Sequence, residues 1–256
     1  MQFSIILPLL NGESQLDGFL KSLLFQQEPD FELIVVDGGS TDRSIQILES
    51  LKSTATFPIH IFSFPGMDVY NSMNYGIATA SGEWLYFIGC DDRLYDEFVL
   101  RDVAVECRKH SSDLIYGDVL FKSNAQRYCG PSSLHQLMYA CNICHQAIFY
   151  KSTLFSKVGS YNINYPIWAD WDLNIRCFQH PDIKTLYLDR VIANYNDRSG
   201  VSAIEDPVYS RLLPLCNLHQ KQKEIDGIKS SYAFRLGKKV FGWIDTHFAS
   251  KQLNNS

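Results

Sequence analysis

Glu32-Leu-Ile-Val-Val-Asp37-Gly-Gly-Ser40-Thr41-Asp42 is an apolar run that stops on an acid, two glycines and a group of helix-capping residues. A short, uninterrupted, β-branched run bounded by Gly reads as a strand buried on both faces. Such a strand needs helices on either side, and the flanking sequence supplies them. Upstream, Leu16, Phe19, Leu20, Leu23 and Leu24 recur at helical spacing. Downstream, Thr41 or Asp42 is placed to cap a helix carrying Ile45, Leu48 and Leu51.

The same alternation continues in both directions. Ser4–Leu7 is an apolar run closing on Pro8, Ile59–Phe62 reads as a third strand, Val69, Met73 and Ile77 mark a helix, and Trp84–Ile88 is a fourth strand running into Asp91-Asp92. A β-α-β-α-β-α-β order predicts a single, mainly parallel sheet flanked by helices. Ligands of such sheets sit beyond the carboxyl ends of the strands. Here those ends carry Pro8–Glu13, Asp37-Gly38-Gly39 and Asp91-Asp92. The second half is less regular. It predicts strands over Leu114–Phe121, Gln146–Tyr150, Thr185–Leu188 and Val191–Tyr195, and a helix over Ala169–Phe178.

Composition narrows the class. The 256 residues carry a net charge of −5, against a nucleic-acid binder, and the seven cysteines are irregularly spaced, so free thiols in a reducing compartment are expected. The opening Met-Gln-Phe-Ser-Ile-Ile-Leu-Pro lacks the basic start of a signal peptide, and no run approaches a membrane span, so the expected location is the cytoplasm. Residues 211–256 hold eight Lys/Arg and three Asp/Glu, leaving −10 on residues 1–210. The expected division is therefore a domain over 1–210 and a helical, basic tail over 211–256. In that tail Ala233, Leu236, Val240, Ile244 and Phe248 share a face. Two readings stand: peripheral contact with an anionic membrane at its inner face, or packing on the domain.

Adjacent carboxylates at a strand end repel unless something positive joins them, and their hard oxygens suit Mg²⁺ or Mn²⁺ held together with phosphates. The plain alternative is a solvated loop with Asp92 capping the next helix. The blocks Ser4–Glu13, Glu32–Asp42, Asn74-Tyr-Gly76-Ile-Ala-Thr-Ala-Ser81-Gly82-Glu83 and Cys90-Asp91-Asp92, in this order, resemble the family 2 glycosyltransferases. Val69–Gly76 looks like the branch that builds bacterial surface polysaccharides. The resemblance implies a GT-A fold, a nucleotide-sugar donor with UDP favoured and GDP or dTDP open, inversion at the anomeric carbon, and a glycan or lipid-linked acceptor. By the same match Pro8, Asn11, Glu13, Asp37, Asn74, Gly76 and Asp91 belong to the nucleotide, Asp92 to the metal, and Asp170 is the general base. His145 and Arg198 are weaker candidates for contact with donor or acceptor. Three positions depart from the pattern: Cys90, Asn71 and Ala169 stand where relatives carry acids. They keep a second reading open, a nucleotide-sugar-binding subunit without transferase activity.

Overall fold

A computed structural model of the chain describes residues 1–27, 30–198 and 206. The tail over 211–256 therefore lies outside the described residues. The first half alternates as expected: β1 (Phe3–Leu9), α1 (Glu13–Leu24), β2 (Phe31–Asp37), α2 (Ser44–Lys52), β3 (Ile59–Ser63), α3 (Val69–Thr79) and β4 (Trp84–Phe87). After β5 (Arg93–Leu94) come α4 (Val99–Lys109), β6 (Leu114–Phe121), β7 (Arg127–Tyr128) and α5 (Leu134–Tyr139). A 3₁₀ turn over His145–Ala147 then leads to β8 (Ile148–Lys151), α6 (Leu154–Val158), α7 (Ala169–Gln179) and β9 (Thr185–Tyr195).

The strands form one sheet in the order β3-β2-β1-β4-β8-β6-β9-β5, with β7 paired to β6. The β3-β2-β1-β4 half is wholly parallel, whereas β8 runs antiparallel to both β4 and β6. β6 and β9 are parallel again. The apolar strand runs are explained by burial on both faces. Phe3, Ile5, Leu7 and Leu9 of β1 join Phe31, Leu33 and Val35 of β2 in the core under α1, α2 and α4. Ile6, Ile34 and Val36 face the opposite core, with Tyr70 and Met73 of α3 and Leu173 of α7. Tyr86 stacks on Phe149 at 4.4 Å between ring centroids, tying β4 to β8 across the change of direction.

Two expectations are corrected. Thr185–Leu188 and Val191–Tyr195 are not two strands but the ends of β9, whose register against β6 shifts on either side of Asp118. Gly117 makes this bulge feasible, because a Cβ there would lie 2.4 Å from the Arg190 carbonyl oxygen. Asp92 does not cap a helix: β5 intervenes, and α4 begins only at Val99.

Several family-like residues prove to be packing devices. Ser4 Oγ donates to Glu32 Oε1 at 2.6 Å, Ser81 N and Oγ donate to the same oxygen at 2.8 Å, and Gly82 N donates to Ser4 Oγ at 2.8 Å. Burial raises the Glu32 pKa, but these bonds outweigh it and hold the carboxyl below its usual range. Gly76 of α3 faces Ile6, where a Cβ would lie 2.4 Å from a methyl carbon, so its role is close helix–strand approach. Asn74 exchanges two bonds of 2.9 Å with the backbone of Tyr161. The resemblance places both residues at the nucleotide; the fold places both in packing contacts.

Candidate active site

The carboxyl ends of β1, β2 and β4 open on one edge, as their polar loops require. The first two loops are locked together. Asn11, with φ at 52°, accepts from Thr41 N at 2.8 Å through Oδ1, and its own N–H donates to Ser40 Oγ at 2.8 Å. Glu13 accepts from Arg43 N at 2.9 Å and pairs with the Arg43 guanidinium at 2.5 Å. Hydrogen bonding to Arg43 holds its carboxyl below the usual range. Buried Asp37 accepts from Ser40 N at 3.0 Å and Gly39 N at 3.2 Å. Asn11, Glu13 and Asp37 therefore shape the loops beside the cavity, and their side chains spend much of their bonding capacity on the backbone N–H groups of Gly39, Ser40, Thr41 and Arg43.

A cavity of about 730 Å³ lies at this edge and gathers Pro8, Asp91, Asp92, His145 and Asp170 from four separate chain segments. Arg198 is not in its lining; it is exposed and donates to Ser123 O at 3.2 Å. Asp92 is 2% exposed. Its Oδ2 accepts from Gln146 Nε2 at 2.8 Å and its Oδ1 from Asn196 N at 2.7 Å. Asp91 Oδ2 accepts from Asn196 Nδ2 at 3.1 Å, and the Asp91 carbonyl accepts from the Lys122 ammonium. Burial, and then the Asp91 charge, push the Asp92 carboxyl up to about 6 despite those two bonds. The two donors bonded to this carboxylate, Gln146 Nε2 and Asn196 N, are both neutral.

Positive charge is what a divalent ion would add. Among the described residues no group of three His, Cys, Asp or Glu side chains converges to hold an ion alone. A site of one or two carboxylates, completed by phosphate oxygens and water, suits Mg²⁺ or Mn²⁺. The donor set Asp91-Asp92 fits such an ion.

Asp170, in the same lining, sits in the first turn of α7 and is 8% exposed. Its Oδ1 accepts from Trp171 N at 2.8 Å and its Oδ2 from Asn142 Nδ2 at 3.0 Å, with His145 Nδ1 3.5 Å from Oδ2. The approach to α7 is clamped on both sides. Asp206 accepts from Ile167 N at 2.8 Å and Trp168 N at 3.0 Å, while the Tyr70 hydroxyl donates to Ile167 O. Burial, and next the Asp170 charge, keep that phenol protonated. Asp172 is not aimed at the site: it binds Arg176 Nε at 2.8 Å, the i, i+4 pair its spacing predicts. Asn142 and Asn196 were not legible as site residues; Gln146 was, through the Cys144-His145-Gln146 step that resembles the family's and points to donor sugar or acceptor.

The Asp92 pKa carries a prediction for the metal-free protein. A carboxyl raised in the fold means that the native state binds the extra proton between the unfolded and folded pKa values. Asp92 therefore adds stability at low pH that is lost as pH rises from about 4 to about 6. The rise from 3.8 to about 6 corresponds to about 3 kcal/mol. Glu32, Asp42 and Asp118, held low, act with the opposite sign and at more acid pH. Between pH 4.5 and 6.5 the melting temperature of the metal-free wild type is expected to fall more steeply than that of Asp92→Asn. Parallel curves would refute this assignment.

A sheet edge of this topology with two acidic groups defines a GT-A-type α/β protein. Three comparisons agree. The family model for glycosyl transferase family 2 matches residues 4–167. A PGL/p-HBAD biosynthesis glycosyltransferase of Mycobacterium tuberculosis is 43% identical over 215 residues, 83% of this chain and 84% of its own. Staphylococcus aureus TarS 1–349 in complex with UDP-GlcNAc superposes with a TM-score of 0.68 at 21% identity, over 84% of this chain and 66% of that one. The mannosyltransferase PcManGT from Pyrobaculum calidifontis, in complex with GDP-Man and Mn²⁺, gives 0.63 at 13% identity, over 79% of this chain and 59% of that one. The chain thus spans 66% and 59% of the two solved neighbours. The chain belongs to glycosyl transferase family 2, and it is a glycosyltransferase.

Proposed function

We propose that this chain transfers a sugar, with inversion, from a nucleoside-diphosphate sugar to a hydroxyl of a glycan or lipid-linked acceptor in the building of a cell-surface glycan. One observation carries the reading: a single cavity is lined both by the Asp91-Asp92 pair and by the Asp170 carboxylate. A displacement at an anomeric carbon needs opposite faces served by different groups. The diphosphate leaves towards the Asp91-Asp92 pair, and the acceptor oxygen arrives beside Asp170.

Asp170 takes the acceptor proton as the oxygen attacks, which an ionised carboxylate within hydrogen-bond reach can do. Asp92, with Asp91 beside it, would hold Mn²⁺ or Mg²⁺, and the ion would supply positive charge to the departing diphosphate. The loops bearing Asn11, Glu13 and Asp37 present backbone at the nucleotide end. UDP is the preferred donor nucleotide, supported by the TarS complex with UDP-GlcNAc; the GDP-Man complex of PcManGT keeps GDP in the test. Residues 1–210 are read as the catalytic unit and 211–256 as an appended tail. Among the described residues no helix is long and apolar enough to cross a membrane, and work on the cytoplasmic side, near a lipid-linked acceptor, follows from the reading.

The test is nucleoside diphosphate release from a panel of UDP-, GDP- and dTDP-sugars with Mn²⁺, with Mg²⁺ and with EDTA. One nucleotide should be released in the presence of metal, and EDTA should reduce release to background. Tight donor binding without turnover, even with crude lipid-linked acceptors, would replace this reading with that of a non-catalytic subunit.

A further inference from the structure

Asp170 is held by a relay of two amides, buried Asn174 and half-buried Asn142, that begins in the sheet. Tyr150 of β8 donates through its hydroxyl to Asn174 Oδ1 at 2.9 Å. Asn174 Nδ2 donates to Ile143 O at 3.0 Å and to Asn142 Oδ1 at 2.8 Å. Asn142 Nδ2 then donates to Asp170 Oδ2 at 3.0 Å. Asn174 is wholly buried on α7, one turn beyond Asp170.

The polarity of this chain is fixed by chemistry. A backbone carbonyl only accepts, so the Asn174 atom facing Ile143 O must be its NH₂. The Asn142 atom facing that NH₂ must then be its oxygen, which leaves the Asn142 NH₂ turned towards the carboxylate. A flipped Asn142 would set two donors against each other at one end and two acceptors at the other, with both part-buried bonds lost. The other neighbours of Asp170 cannot replace this hold. The Tyr70 hydroxyl lies against Ile167 O and, at 3.3 Å, against the other carboxylate oxygen, Oδ1, so it does not reach Oδ2, and Ala169 brings no polar atom. Trp171 N grips Oδ1; of the two groups near Oδ2, Asn142 Nδ2 is at hydrogen-bond distance, 3.0 Å, while His145 Nδ1 stands farther off at 3.5 Å.

We propose that Asn142, oriented by Asn174, is the positioning residue that fixes Asp170 Oδ2 for proton transfer. This rests on the reading of Asp170 as the base. The relay gives Oδ2 one neutral donor at 3.0 Å, with His145 Nδ1 farther off at 3.5 Å. A second cationic partner would tie up the lone pair the acceptor proton needs; one amide leaves it free and aims it. The same relay explains why a base with no acidic neighbour at position 169 can still be held rigidly.

The experiment uses the full chain and the nucleotide sugar of highest wild-type turnover in a panel of UDP- and GDP-sugars with Mn²⁺. Asn142→Ala should lower kcat by about 10²-fold, the scale of a misplaced catalytic group, with donor KM and UDP affinity by calorimetry within about twofold. Asn142→Ser, which keeps a shorter donor, should recover part of kcat. Asn174→Leu should repeat the loss of kcat with Asn142 intact. Its melting temperature is measured alongside, so that unfolding is recognised. Wild-type kcat in Asn142→Ala, with Asp170→Asn inactive, overturns the positioning role alone. Wild-type kcat in Asp170→Asn overturns the base assignment and this role with it. A joint rise in donor KM and loss of UDP affinity in Asn142→Ala would mark a merely structural residue. A wild type that turns over no donor overturns both readings.

Discussion

Asp170→Asn is expected to lower transfer by at least about 10³-fold, the usual contribution of a general base, while leaving nucleotide and metal binding unchanged. The substitution keeps the shape and removes the charge. Trp171 N can still donate to the amide oxygen, and the α7 start stays clamped by Asp206 and Tyr70, so the fold should hold. What is lost is the group that accepts the proton of the attacking hydroxyl. Steady-state kinetics with calorimetry for UDP separate the two effects. Loss confined to kcat supports the assignment; wild-type turnover would move the base elsewhere, with His145, 3.5 Å away, as the next candidate.

The second large effect is expected at the Asp91-Asp92 pair. Asp92→Ala should remove metal-dependent nucleotide binding and cut turnover by about 10³-fold, because charge stabilisation of the departing diphosphate is lost along with the ion. It also strands Gln146 Nε2 and Asn196 N, two donors that now end on one buried carboxylate. Each orphaned donor costs on the order of 1–3 kcal/mol, against which stands the relief of burying an acid next to Asp91. Melting temperature is therefore expected to move little while activity disappears. Isothermal titration of UDP with and without Mn²⁺ checks this directly. Metal-dependent UDP affinity equal to that of the wild type would take the ion away from Asp92.

The two acidic groups differ in how far the chain announced them. Asp91-Asp92 follows a continuous apolar strand, so its place at the ligand edge followed from the strand pattern and from nothing more distant. Asp170 stood out only through its acidic setting at the start of a helix and through family resemblance. Its partners come from elsewhere: Asn142 lies 28 residues earlier and Tyr70 lies 100 residues earlier. Asn74 and Gly76 gave the opposite lesson. Their motif is prominent in sequence, yet Asn74 closes bonds to the Tyr161 backbone and Gly76 gives α3 close access to Ile6. A motif records that a residue type is needed, and packing can need it as strictly as a ligand. Helix α4, absent from the sequence expectations, also had a readable signal. Val99, Leu100, Val103 and Ala104 make one buried face, but they stand among charged residues.

The sequence by itself determined the alternating parallel half-sheet, the edge at which a ligand must lie and the acidic pair placed there. These follow from local periodicity, which a few adjacent residues carry and which burial on two faces enforces. Only the tertiary structure decided the direction of β8, the bulged continuity of β9 against β6, the burial that raises Asp92, and the amide relay that holds Asp170. Each of these depends on contacts between segments far apart in the chain. Their energies come from desolvation and hydrogen-bond geometry, which exist only once the sheet has brought those segments together.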